Sequence, residues 1–269
     1  MSTKRKSAIV LFLVMPAFVV GAFSLARFLK AHRQDQAFGR IHQSLATNAD
    51  VANLRSKDVA DALQLLVPEM EAIVKAEKKN PELGGNRHER FQDVVFNLGS
   101  NLAPVIPKLR EMYLSDRCPG PALTAFRACE ELGLPIIIEG LYSTNSRLQA
   151  GSLDSLTIIR ADTPPEAMHR ILTLATNGNE TVRLLAAGYL GNKTNFARLK
   201  IPCLIYLLTH DTNQSVRNMS AKSLRNYHNL SQGEIEVLKH FPTDHESKYM
   251  PKYLSEILEA QGQAPGAEK

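Results

Sequence analysis

Apolar positions recur along most of this chain at the three- and four-residue spacing of an amphipathic helix, not in the strict alternation of a strand. In residues 57–79, Val59, Leu63, Leu66, Met70, Ile73 and Val74 predict one long helix that ends in the charged run Lys75 to Lys79. The mixed, polar stretch from Gln34 to Ser56 before it predicts a helical or loose stalk. Asn80-Pro81 and Gly84-Gly85-Asn86 predict a break, and short helices in pairs follow it. A final helix near Lys248 to Ala260 is suited to capping an open stack, with a disordered tail after it.

The pairs carry internal similarity. NETVRLLAAGYL, Asn179 to Leu190, aligns 34 residues ahead with NQSVRNMSAKSL, Asn213 to Leu224. The shared residues are Asn179/Asn213, Val182/Val216, Arg183/Arg217, Ala187/Ala221 and Leu190/Leu224. Val, Ala and Leu at this spacing lie along one helical face, and Ala permits a close neighbour. Asn at the start can accept from the free backbone amides of the first turn. Leu98-Gly99, Leu132-Gly133 and Leu190-Gly191 predict left-handed glycines closing first helices. Second helices open beside Pro104 and Pro107, Pro135, Pro164 and Pro165, and Pro202, where a missing N–H costs nothing. Helix pairs opening near His88, Pro119, Ser146, Asn179 and Asn213 give about five units.

A helix pair whose first member carries V-R-x-x-x-A-x-x-L and whose second begins at Pro resembles the HEAT repeats, especially the short bacterial kind, over about residues 88–241. The resemblance implies an all-α, right-handed α-solenoid of about five helix pairs, used as a binding surface or scaffold. It also implies that Arg183 and Arg217 bond an acidic or amide partner in the next repeat; the alternative for them is an anion-binding ridge. Some short repeats of this kind resemble domains named after phycobilisome lyases, but no residue set for bilin attachment can be matched here. Asn179 and Asn213 stand where the family often has Asp.

One segment differs from all the others. Ala8 to Ala26 is a run of 19 residues without a charge, preceded by Lys4, Arg5 and Lys6. It nearly spans a hydrocarbon core and predicts an uncleaved transmembrane anchor, with the basic end in the cytoplasm and the remainder on the far side. Arg27, Lys30 and Arg33 after the segment weaken that orientation, so the opposite one is an alternative; a cleaved secretory signal at Ser24-Leu25-Ala26 is the other. The expected organisation is a basic flank at 1–7, an anchor at 8–29, a stalk and leading helix at 30–87, a repeat domain with its cap helix at 88–260, and a tail at 261–269.

Composition changes this picture in one respect. The formal charge of +5 suggests a polyanionic partner, but six bases and no acid lie in residues 1–33. The remaining 26 bases stand against 27 acids, so the body is close to neutral and gives no support for nucleic-acid binding. Leu and Ala dominate and Trp is absent, which favours helix-on-helix packing.

Candidate chemistry is sparse. Cys118, Cys129 and Cys203 form no CxxC pair and read as core residues. His245-Glu246 lacks the second His of a zinc helix, His228 and His240 are 12 apart, and His169 and His210 read as polar-face or helix-end residues, so no metal is expected. Glu130-Glu131 and Glu69 with Glu71 read as solvated helix faces. Asn179, Asn192, Asn213, Asn218 and Asn229 fit N-x-[ST], a pattern that capping explains better than glycosylation. No nucleophile elbow or phosphate loop occurs, so the chain reads as a non-enzyme without a cofactor.

These features predict a single-pass membrane-tethered scaffold that binds a protein or peptide on the non-cytoplasmic side. The alternatives are an enzyme accessory or lyase-like protein holding a substrate, and a secreted or periplasmic repeat protein. An open stack end near Phe91 is expected to invite association.

Overall fold

The computed structural model describes residues 32–43, 56–159, 161–192, 195–243 and 247–262, which are all-α with no strand among them. They fall into two compact units that divide between Val105 and Ile106.

The first unit contains α1 (residues 32–43), α2 (Ser56–Lys79), α3 (Pro81–Leu98) and a 3-10 turn (Gly99–Val105). Asn80 separates α2 from α3 by accepting from the amides of Glu82 and Leu83, which leaves Pro81 where its missing N–H is harmless. The expected break at Gly84-Gly85-Asn86 is instead the first part of α3. A β-carbon on Gly84 would lie 2.7 Å from the backbone of Glu77, so glycine permits the close crossing of α2 and α3 here. Leu66, Met70 and Ile73 of α2 and Phe91, Val94 and Val95 of α3 form the core.

The described part of the expected stalk does not stand free. In α1, Phe38 is buried and stacks on Phe91 with ring centroids 6.4 Å apart. Asp35 meets Arg87 and Arg90, and His42 meets Asp93 at 2.9 Å. Phe91 is therefore a covered core residue and no open end.

The second unit contains α4 (Ile106–Leu114), α5 (Pro119–Ala128), α6 (Leu134–Leu141), α7 (Ser146–Ile158), α8 (Pro165–Asn177), α9 (Glu180–Asn192), α10 (Ala197–His210), α11 (Gln214–Leu224), α12 (Gln232–Lys239) and α13 (Met250–Gly262). Within it α5, α7, α9, α11 and α13 touch in succession, and so do α6, α8 and α10. The repeated Val182, Ala187 and Leu190, with Val216, Ala221 and Leu224, are completely buried along this contact. Asn179 and Asn213 accept from amides of the first turns of α9 and α11.

The expected right-handed solenoid of about five equivalent pairs behind a transmembrane helix and stalk does not stand; the all-α class does. The unit boundary at Val105 cuts through the pair expected to open near His88, and α3 itself begins at Pro81. Pro202 lies inside α10, which begins at Ala197. No helix among the described residues is long and apolar enough to cross a membrane. The 24-residue α2 has the length, but charged residues such as Asp61, Glu69, Glu71 and Lys75 leave no stretch of it apolar enough. The anchor expected at 8–29 lies outside the described residues.

The expected left-handed glycines are corrected as well. Gly99 has φ 49, but Gly133 has φ −83 and Gly191 lies within α9. Gly191 is there for space: a β-carbon on it would lie 2.4 Å from Ser223 Oγ and 2.7 Å from Ser223 Cα. Ser223 donates to Ala187 O at 2.8 Å, Asn226 donates to Gly191 O at 2.7 Å, and Tyr227 donates to Leu190 O. The carbonyls of Leu190 and Gly191 at the end of α9, which lack intrahelical donors, are thus satisfied by the segment that closes α11, while the Ser223 bond to Ala187, inside the helix, ties the two helices together.

Two glycines one turn apart should respond to alanine with opposite signs. Gly191→Ala is expected to cost roughly 1–3 kcal/mol through overpacking. A β-carbon on Gly188 would meet Met219 at an ordinary 3.6 Å, so Gly188→Ala is expected to gain about 0.5–1 kcal/mol of helix propensity. Urea unfolding midpoints of the two variants check this, and equal shifts would refute the close-approach account.

Candidate functional site

Arg183 and Arg217, the most conspicuous repeated charges, converge on one residue, Asp211. Arg183 donates from Nε and Nη2 to both oxygens of Asp211, at 2.6 and 3.0 Å, and from Nη1 to Gly178 O at 2.9 Å. Arg217 donates from Nη1 to the backbone oxygen of Asp211 at 2.8 Å. The Asp211 side chain is only 3% exposed. Its burial disfavours the charged form, but the bonds from Arg183 and the Asn213 amide, with the charges of Arg183 and Arg217, outweigh it and hold the carboxyl below its ordinary range. The same pairing raises the pKa of Arg183. With its fork filled by a protein carboxylate, Arg183 works as a joint between the turn before α9 and the turn before α11, not as an anion ridge.

A groove of about 400 Å³ lies across α7, α9 and α11 in the second unit. Leu184, Leu185 and Gly188 of α9 and Met219 of α11 give it an apolar floor. Asp154 and Thr157 stand on the α7 side, with Lys222, Arg225 and Asn226 on the α11 side. Most of the polar lining groups are already engaged. Arg127 pairs with Asp154 at 2.5 Å and also donates to Ser155 Oγ at 3.0 Å. Arg225 pairs with Glu256 and lies over the ring of Tyr253 at 5.3 Å. Thr157 donates to Leu153 O, and Tyr189 is bonded to Thr163. Lys222 is exposed and forms no ion pair with the described residues. No feature of the sequence pattern singled out this groove, because its lining comes from three helices whose apolar faces read as core.

The remaining candidates are dispersed. His210 stacks on Tyr206 at the end of α10, His240 bonds Glu236 O at the end of α12, and His245 and Glu246 lie outside the described residues. Among the described residues no group of three or more His, Cys, Asp or Glu side chains is placed to hold a metal ion. Cys118 and Cys129 are buried and Cys203 is half-buried, all as free thiols. Burial pushes Cys129 and Cys203 up to about 11, far from a nucleophilic thiolate at neutral pH. Glu69 is no solvated face: its side chain is 2% exposed and held bidentately by Arg87 at 3.0 and 2.8 Å. Glu71, Glu130 and Glu131 are exposed. Asn179 and Asn213 are caps, and Asn218 accepts from Ser247 at 2.8 Å.

Removing the Arg183 joint should cost stability. Arg183→Ala is expected to lose roughly 2–4 kcal/mol at neutral pH, because it leaves Asp211 buried and unpaired. A carboxyl held below its ordinary value contributes stability that is present above the unfolded value, 3.8, and is lost as pH falls through the folded one. The stability gap between the wild-type chain and Asp211→Asn should therefore narrow between pH values of about 5 and 3. Urea unfolding across that range checks it, and a pH-independent gap would contradict the assignment.

No family model matches the chain, and no curated protein matches it. The resemblance to HEAT repeats is thus not supported as membership, and the scaffold function that followed from it falls with it. The motif misled for a physical reason: Val, Ala and Leu at that spacing form the buried stripe of any closely packed helix row, whatever its ancestry. The membrane partner and the single-pass location gain no support either: no described helix is long and apolar enough to span a bilayer, and the run at 8–29 on which they rested lies outside the described residues. The protein or peptide partner that depended on this reading has no independent support.

Proposed function

We propose that this chain is a non-catalytic binding protein whose groove across α7, α9 and α11 takes a small amphipathic molecule. The observation that carries the reading is an apolar floor of Leu184, Leu185 and Met219 inside a concavity of about 400 Å³, a size suited to a small ligand. Gly188 keeps that floor bare, since nothing but Met219 comes near a β-carbon placed on it. The lining chemistry supports the non-catalytic reading. The Asp154 carboxylate faces an arginine, and the Ser223 hydroxyl is spent on Ala187 O, so no nucleophile sits beside a base.

The test is a fluorescence titration with 1-anilinonaphthalene-8-sulfonate, an amphipathic probe, on the full chain. Gly188→Leu fills the floor and should weaken probe binding at least about tenfold, a loss of about 1.4 kcal/mol, while thermal unfolding stays near wild type. Contributions from the apolar run at 8–26 are common to both proteins and cancel in the comparison. Identical titrations would sink the groove reading.

A further inference from the structure

We infer that the groove selects an amphipathic carboxylate, its anionic head on Lys222 and its apolar tail along Leu184, Leu185 and Met219. This rests on the groove being a ligand site and adds the chemistry of the ligand.

The inference comes from charge complementarity. Three ionised side chains with rim positions matter: Asp154, Lys222 and Arg225. Asp154 is neutralised by Arg127, and Arg225 by Glu256. A ligand cation would have to compete with a guanidinium for Asp154, and a ligand anion would have to displace Glu256 to reach Arg225. Lys222 requires no such exchange. Its ammonium is exposed and unpaired among the described residues, so the local field of the lining carries one uncompensated positive charge. Four residues on, Asn226 uses its amide nitrogen on Gly191 O at 2.7 Å, which leaves a second amide hydrogen for an acceptor. A carboxylate fits this pair of donors, one a point charge and one a neutral N–H. The floor beside them is aliphatic, lacks any unpaired acid, and suits a hydrocarbon tail.

The polar end is partly solvated, so the charge contribution is modest. Apolar contact with Leu184, Leu185 and Met219 supplies most of the affinity, and Lys222 supplies selection among ligands with the same tail. The expected order is carboxylate, then alcohol, then amine.

Decanoate, decanol and decylamine share one tail and differ in the charge of the head. Each is titrated by calorimetry against the full chain at low salt, below micelle-forming concentrations, with wild type, Lys222→Gln, Lys222→Arg and Gly188→Leu. Decanoate should bind wild type about fivefold more tightly than decanol, consistent with one exposed charge pair. Lys222→Gln should bring decanoate to the level of decanol, Lys222→Arg should keep most of the preference, and added salt should erode it. Decanol binding as well as decanoate, or no effect of Lys222→Gln, overturns the carboxylate assignment while leaving the groove in place. Tightest binding by decylamine overturns it in favour of Asp154 as the anchor. Binding of all three that survives Gly188→Leu unchanged overturns the groove reading itself, and so does failure of all three to bind.

Discussion

The close approach of α9 and α11 at Gly191 and Ser223 governs much of what surrounds it. Helix ends leave carbonyls without intrahelical donors, and burying such an end demands donors from elsewhere. Asn226 and Tyr227 supply them to Gly191 and Leu190, Ser223 adds a bond to Ala187 inside the helix, and the helices come this near because residue 191 has no side chain. Side-chain bonds to backbone carbonyls across a close helix approach recur elsewhere in the second unit. Tyr113 donates to Leu148 O at 3.1 Å and bonds Ser152 at 2.7 Å beside Gly140, whose missing β-carbon would lie 2.2 Å from Tyr113 Oη. Arg170 donates to Leu141 O, and Gln261 donates to Tyr227 O. Apolar rows supply the burial, while these polar joints set how near and in what register neighbouring helices meet.

Burial at these joints has chemical consequences. Tyr113 is pushed up to about 12 by loss of solvent, with its bond to Ser152 acting weakly the other way. Tyr189 and Tyr227 are raised for the same reason. Phenols held so firmly in their neutral form serve as donors and fillers and contribute no acid–base chemistry near neutral pH. Ion pairs complete the joints: Arg127 with Asp154, Arg183 with Asp211, and Arg225 with Glu256 each link segments that are distant in sequence. Of these three only the Asp211 pair has a nearly fully buried carboxylate, so it dominates among them; pairs open to solvent contribute little.

The groove is a by-product of the same packing. At Gly191 the two helices touch, whereas at Gly188 a β-carbon would find only the flexible end of Met219. That opening exposes Leu184, Leu185 and Met219 together, and the nearby ion pairs consume the charges of Asp154 and Arg225 while Lys222 remains. Binding capacity here therefore depends less on any conspicuous residue than on which charges the architecture has already used.

Several features were legible in the amino-acid sequence because they follow from local rules. The all-α class follows from apolar spacing, the starts of α9 and α11 from Asn179 and Asn213, and the buried stripe from the repeated Val, Ala and Leu. Local rules failed where a residue serves a distant neighbour. Gly84, Gly133 and Gly191 were expected as breaks or turns, yet each relieves a clash with backbone that no local pattern reveals. Phe91 was expected at an open end and is covered by Phe38, more than fifty residues earlier. The apolar run at 8–26 suggested an address by composition alone, and the V-R-x-x-x-A-x-x-L pattern suggested a family that no comparison supports. Sequence by itself determined which residues must be buried and where helices can begin. Tertiary structure alone decided which helix each buried face meets, where the rows part to leave a groove, and which charge remains unpaired beside it, because these depend on through-space distances that residue spacing does not encode.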